Sequence, residues 1–287
     1  MRLYGHFRPS PHHYSQQQSQ RKERAIKLRS RPQVLILSGL DPSGGAGVQA
    51  DIQSVTSLGC HPLPVLTCLT VQDTHNVYAA EPIDADLIRR QLECLAGDTP
   101  IHAIKTGALG NADVVDVLVE FVRKRPHIPL IVDPVIKAAG GGDLADSELI
   151  NAMLTRLFPL AEMITPNGVE LELLTGEPDP QKAAIKLQLA GCGDVLATGG
   201  HGTGEAIINV LYRRGAEPQR WHIERIGGEY HGTGCTLASS IAAGRASGLS
   251  QRAAIAQAQN YVHRAIVQAL KVGEGQPVPD RGILWEH

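Results

Sequence analysis

The stretch HGTGCTLASSIAAG, residues 231–244, sets a cysteine at the mouth of a helix on a turn made of glycine. Successive free amides at a helix start face whatever sits there, and the helix dipole favours negative charge at that end. Gly232, Thr233 and Gly234 therefore suit a developing anion. The same dipole is expected to lower the thiol pKa of Cys235 from its free value of about 8.5, making it a proton acceptor. A buried cysteine opening a small-residue helix is the plainer reading, and the residues alone leave both open.

A second constellation is TPNGVE, residues 165–170. Asn167 and Glu170 stand three apart at a helix start, hence on one face. With Asp133 of IVDPV they form a hard oxygen cluster suited to Mg²⁺ held through waters. Capping by Asn167 and a first-turn acid accounts for the pair equally well. A third is DPSGGAG, residues 41–47. No GK[ST] follows, so it is not a Walker A loop, and it is not GxGxxG. Its glycines let a backbone approach something small and flat, or simply turn from strand to helix. His61, His102 and His201 read as structural or surface residues.

These groups need elements to hold them. VLILS (34–38) is a continuous apolar run, as in a strand buried on both faces. Further strands are expected at 63–72, 101–107, 129–135, 161–167 and 194–200. Helices are expected at 48–59, 84–96, 111–124, 148–158, 168–176, 180–191 and 251–270. Residues 205–214 and 220–226 read as antiparallel strands. Alternating strands and helices of these lengths mean βαβ units and a mostly parallel sheet covered on both faces. Ligands in such sheets bind beyond the carboxyl ends of the strands. The residues expected there are polar: Asp41 and Ser43, Gln72, Lys105 and Thr106, Asp133, Asn167, Thr198 to Gly200, and the HGTGC turn.

The bulk numbers agree with one α/β domain. The chain has 287 residues and a formal net charge of -2, which implies no nucleic-acid partner. No apolar run reaches the ~20 residues of a membrane helix, and no signal peptide is legible at the N-terminus. The five cysteines show neither zinc spacing nor a disulfide framework, so a cytoplasmic protein with free thiols is expected. Residues 1–32 are rich in Gln, Ser, His and Arg and read as a disordered or mis-started tail before a domain at 33–287.

The order VLILSGLDPSGGAGVQADIQ, TVQDT, KTGALG, IVDPV, ITPNGVELELLTG, TGGHG and YHGTGCTLASSIAAG resembles the hydroxymethylpyrimidine/phosphomethylpyrimidine kinases of thiamine biosynthesis, within the ribokinase-like superfamily. The resemblance covers residues 33–285. It implies an α/β three-layer αβα sandwich with a mostly parallel central sheet, usually a homodimer. It implies ATP and Mg²⁺ as cofactors, and a small pyrimidine as the partner molecule. The reaction would move the γ-phosphoryl of ATP to the hydroxymethyl of 4-amino-5-hydroxymethyl-2-methylpyrimidine, then a second phosphoryl to the monophosphate.

The same resemblance assigns roles. Cys235 would take the hydroxyl proton, and the amides around Gly232, Thr233 and Gly234 would stabilise the transferring phosphoryl. Gln72, Gly39, Ala46, Asp51 and Val135 would line the pyrimidine pocket. Asn167, Thr198 and Gly200 would serve the nucleotide, and Glu170 with Asp133 the metal. Thr198-Gly199-Gly200-His201 stands where many members carry Lys-Gly-Gly-His, and Ala138-Ala139-Gly140-Gly141 replaces Ala-Lys-Ser-Gly, with Lys137 displaced. The glycine run 140–142 is expected to form a lid over ATP. Pyridoxal kinase and a non-catalytic pyrimidine sensor are the alternative readings.

Overall fold

The computed structural model describes residues 30–137, 142, 144–200 and 204–282. The expectations for the tail, for His201 and for most of the 140–142 lid fall on residues outside that set.

The first strand, β1 (Gln33–Leu40), is buried at every residue from Val34 to Gly39. The reason is period two. Leu35 and Leu37 enter one core with Leu92, Val115 and Leu118, whereas Val34 and Ile36 enter the other with Val55, Ile241 and Ile255. A strand covered on both faces has no polar side to show, so its sequence cannot alternate.

Around β1 the described residues form a nine-stranded sheet in the order β3-β2-β1-β4-β5-β6-β7-β8-β9. The members are β2 (His61–Gln72), β3 (Val77–Pro82), β4 (Ala103–Thr106), β5 (Leu130–Val132), β6 (Met163–Ile164), β7 (Asp194–Ala197), β8 (Ala206–Tyr212) and β9 (Gln219–Glu224). The pairs from β2 through β1, β4, β5 and β6 to β7 are parallel. β3, β8 and β9 join antiparallel at the two edges. The expected α/β sandwich with a mostly parallel sheet is thus observed, including the antiparallel pair β8–β9. β3 has no counterpart in the sequence reading. VYAAEP is a short, largely exposed edge strand whose residues do not alternate apolar with polar, so it shows no strand periodicity.

One face carries α2 (Ala85–Asp98), α3 (Ala112–Arg123), α4 (Ser147–Ala152), α5 (Gly168–Thr175) and α6 (Pro180–Leu189); the other carries α1 (Gly47–Ser57), α7 (Thr233–Ala246) and α8 (Gln251–Val267). Asp84, Asn111, Asp146, Asp179 and Ser250 cap their helices by accepting backbone amides, as their residue types predict. The expected helix at 148–158 differs: α4 loosens at Met153–Leu157 into a π turn and tightens at Phe158–Leu160 into a 3₁₀ turn. Pro159 lacks the amide that would continue the α ladder. The expected strands at 129–135 and 161–167 shrink to Leu130–Val132 and Met163–Ile164, leaving their polar ends as loops at the sheet edge.

α7 is buried throughout Thr236–Gly244. Its small residues let it lie close to its neighbours: a Cβ on Gly244 would sit 2.9 Å from Cβ of Ala254 in α8. The N-terminus of this tightly held helix points to the edge where β1, β4 and β5 end.

Candidate active site

Two glycine turns meet at that edge. The first is organised by Asp41, which follows β1. Its Oδ1 accepts from Ser43 N at 2.8 Å and Ser43 Oγ at 2.7 Å; its Oδ2 accepts from Ala46 N at 2.7 Å and lies 2.9 Å from Nε2 of His231. Burial disfavours the Asp41 charge. The bonds from His231, Gln72, Ser43 and the Ala46 amide outweigh it and hold the carboxyl well below the usual range. In the sequence Asp41 stands only as a polar strand end, and no local pattern pairs it with His231, 190 residues away.

The second turn opens α7. Gly232 has φ +83, in the left-handed region, and no side chain caps the helix behind it. A Cβ on Gly232 would lie 2.0 Å from Gly45 O, and one on Gly45 would lie 2.3 Å from Cδ2 of His231. These glycines let the two turns press against each other. Of the two readings of the DPSGGAG glycines, Gly45 and Gly47 fit the strand-to-helix turn, since their missing side chains leave room for His231 and for Gly39 O. Gly234 is different: nothing lies within 4 Å of its Cβ position. The first-turn amides of α7 therefore combine an uncapped end, a half-buried Thr233 and an exposed Gly234.

Cys235 is half-buried in that first turn. The expected lowering of its pKa is overturned. Desolvation pushes the thiol up to about 12; the Lys105 ammonium pulls against this, and the Asp133 and Asp51 charges add to it. A dipole effect confined to the first turn is small beside burial next to two carboxylates.

Behind Cys235 lies a fully buried ion pair. Lys105 Nζ of β4 donates to Asp51 Oδ1 of α1 at 2.7 Å, and Ser239 Oγ of α7 donates to the same oxygen at 2.6 Å. Burial works against the Lys105 charge, but Asp51, Cys235 and Asp133 hold the ammonium above its usual range. Asp51, expected in the pyrimidine pocket, thus has no exposed surface in the protein as described; its Oδ2 has no hydrogen-bond partner.

Asp133 follows β5 and Glu170 sits in α5. Asn167 caps α5 through a reciprocal box: Asn167 Oδ1 accepts Glu170 N, and Glu170 Oε2 accepts Asn167 N, both at 2.9 Å. The capping reading is therefore correct as geometry. It does not exhaust the pair, because burial and the neighbouring Asp133 charge push Glu170 up to about 8. Asp133 is raised too, by burial, with Lys105 opposing. Two adjacent carboxylates, each disfavoured as a charge, fit a divalent cation. No group of three or more His, Cys, Asp or Glu among the described residues could hold a metal by itself. The donor set therefore suits Mg²⁺ that keeps waters and shares phosphate oxygens, not a protein cage.

The remaining expected residues lie around this edge. Gly39 is buried against Cys68, whose Sγ would be 2.6 Å from a Cβ there. Gln72 ends β2, Ala46 precedes α1, and Val135 is half-buried after Asp133. Thr198 bridges to Asn167 after β7, and Gly200 is exposed, its carbonyl accepting from Arg225 Nη1 at 2.8 Å. His102 is structural, accepting Gln33 N at 3.1 Å. Arg225 and Arg281 bind the site's turns and escaped the sequence reading, since a lone arginine in a tail or edge strand follows no pattern.

Comparison with known proteins decides the family. The phosphomethylpyrimidine kinase pattern matches residues 41–279, from the first turn through the C-terminal segment. The chain belongs to the phosphomethylpyrimidine kinase family. This kinase is 36% identical over 257 residues to the hydroxymethylpyrimidine/phosphomethylpyrimidine kinase of Streptomyces coelicolor, covering 88% of this chain and 94% of that one. It is 38% identical over 251 residues to the thiamine biosynthesis bifunctional protein ThiED of Geobacter sulfurreducens, covering 85% of this chain and 51% of that protein, about half its length. Among solved structures, the kinase resembles the ADP complex of Bacillus subtilis pyridoxal kinase, with TM-score 0.80, 29% identity, and 88% and 98% of the two chains covered. It also resembles the phosphomethylpyrimidine kinase of Clostridium difficile, with TM-score 0.71, 30% identity, and 83% and 100% covered. Among the described residues, no helix of the kinase is long and apolar enough to cross a membrane.

Proposed function

We propose that the kinase transfers the γ-phosphoryl of ATP to the 5-hydroxymethyl of 4-amino-5-hydroxymethyl-2-methylpyrimidine, and then a second phosphoryl to the monophosphate. The observation that carries this reading is the uncapped first turn of α7, with Cys235 inside it, facing the same sheet edge as Asp133 and Glu170. The hydroxymethyl oxygen attacks the γ-phosphorus, the bond to the ADP oxygen breaks, and the hydroxyl proton passes to Cys235 Sγ in its thiolate form, the minor form at neutral pH. The amides of Gly232, Thr233 and Gly234 meet the charge on the phosphoryl oxygens, an arrangement already in place before reaction. Gln72, Ala46 and Val135 orient the pyrimidine, with Gly39 and Asp51 beneath it. Asn167, Thr198 and Gly200 serve the nucleotide, and Glu170 and Asp133 would hold Mg²⁺. That ion, when bound, neutralises phosphate oxygens and offsets the carboxylate charge that holds the Cys235 thiol up.

The free cysteines fit a reducing, cytoplasmic setting. Exposed Leu69, Val71 and Tyr78 on β2 and β3 fit a surface covered in a homodimer. A second reading, pyridoxal phosphorylation, draws on the likeness to the Staphylococcus aureus pyridoxal kinase in complex with AMP-PCP and pyridoxal, TM-score 0.79 at 27% identity. The deciding experiment incubates purified kinase with Mg-ATP and the pyrimidine, with pyridoxal in parallel, and resolves products by chromatography. Pyrimidine mono- and diphosphate are expected. Monophosphate alone removes the second step, and pyridoxal phosphate alone replaces the reading.

A further inference from the structure

After α8 the chain runs back toward the site as a segment held by both backbone and side-chain bonds. Leu270 and Val278 exchange hydrogen bonds at 2.8 and 2.9 Å, Gln276 N donates to Thr74 O at 3.0 Å, and His231 N donates to Pro277 O at 2.9 Å. The segment's end is pinned from below: Arg281 O accepts from Tyr261 Oη at 2.9 Å and from Ser57 Oγ. This leaves the Arg281 side chain, 2% exposed, directly beneath the two glycine turns.

Its guanidinium bonds both turns at once. Nε donates to Thr236 Oγ1 at 2.8 Å; Nη2 donates to Gly45 O at 2.5 Å and to Gly232 O at 3.4 Å. Thr236 Oγ1 itself donates to Gly232 O at 2.7 Å. Each acceptor is a neutral oxygen. Cys235, Asp51 and Asp41 all lie near enough to act on the guanidinium charge. Burying an arginine on neutral acceptors is a costly way to fill space, and an apolar side chain would stabilise the same volume better. A planar fork, however, fixes two loops at one separation, which an apolar residue or a lysine cannot do.

We propose that Arg281 is a positioning residue for phosphoryl transfer: its fork fixes the spacing between the 41–47 turn and the first turn of α7, and with it the direction of the α7 amides and the Cys235 thiol. The proposal rests on the kinase reading above. It predicts an effect on turnover out of proportion to any effect on binding or folding.

The test compares wild type, Arg281→Lys and Thr236→Val in steady-state kinetics with Mg-ATP and the pyrimidine. Slow release of ADP from ATP without an acceptor is read alongside, and thermal melting gives the folded fraction. Arg281→Lys is expected to lower kcat at least about tenfold per folded molecule while both KM values stay within about threefold, the signature of misaligned reacting groups. Thr236→Val, which removes the Nε acceptor together with the Thr236 Oγ1 bond to Gly232 O, is expected to give the same split at smaller size, and it carries the test if the lysine variant does not fold. Wild-type kcat in both variants, or a loss explained wholly by lower melting, overturns the proposal. If wild type releases ADP but phosphorylates no pyrimidine, the substrate reading fails while Arg281 is judged on the acceptor-free rate. No ADP from wild type under either condition overturns both.

Discussion

The two glycine turns at the sheet edge are alike in composition and opposite in structure. In 41–47 the key groups are spoken for by protein: Asp41 accepts from three protein donors and pairs with His231, and Gly45 and Gly47 accommodate neighbouring protein atoms. In 232–235 the helix end is uncapped and Gly234 faces open space. Glycine at Gly45 and Gly232 is a packing requirement; at Gly234 it is an access requirement. A closed turn can hold an open one at a set position, and that is how a site exposed enough for ligand can still be rigid.

The comparison is sharpened most by Cys235→Ser. Turnover should fall by about 10² or more while calorimetry still shows pyrimidine binding, because a serine is a far weaker proton acceptor. With the thiol pushed up to about 12, wild-type kcat/KM should climb from pH 7 to 10 as the thiolate fraction grows. A flat profile, or a serine variant near wild-type rate, would remove the thiol from the reaction.

The next contrast uses two alanines. Gly232→Ala meets Gly45 O at 2.0 Å in a left-handed conformation and should cost about 2–4 kcal/mol in chemical denaturation. Gly234→Ala meets nothing within 4 Å, so melting should move little, yet the added methyl should lower turnover if phosphate approaches there. The reverse pattern would break the distinction between packing and access.

Asp41→Asn tests the closed turn, with an expected loss of about 1–3 kcal/mol at neutral pH. The folded carboxyl pKa is depressed. Its stabilisation is therefore present above the unfolded value of about 3.9 and lost as pH falls through the folded value, so Asn should flatten the acid limb of the stability curve.

Glu170→Gln should act with the opposite sign. The folded pKa is raised to about 8, so the native state binds more protons than the unfolded chain. Stability should then decline as pH rises from about 4.3 toward 8, and the glutamine variant, which keeps the cap, should lose that decline. A variant curve parallel to wild type would mean that Glu170 is not the strained acid of the pair.

Much of this architecture was legible residue by residue. The run at Val34–Leu37, the caps at Asn111 and Asn167, and the polar residues ending β1, β4 and β5 follow from period, propensity and strand-end rules that act locally. So did the antiparallel β8 and β9. β3 was not legible, since an exposed edge strand needs no apolar side chains. The π turn after α4 was not either: Pro159 marks where the α ladder must stop, not which turn precedes it.

At the site the same boundary holds. Sequence alone determined which chemical groups reach the edge: a thiol, amides, two carboxylates and a lysine. Only the tertiary structure decided their states. It buried Lys105 and Asp51 against each other, set Asp133 beside Glu170, raised the Cys235 thiol that a helix dipole alone would lower, and brought Arg281 beneath turns 236 and 49 residues away in sequence. The physical reason is that a residue's type is local, whereas desolvation and charge coupling depend on everything packed around it.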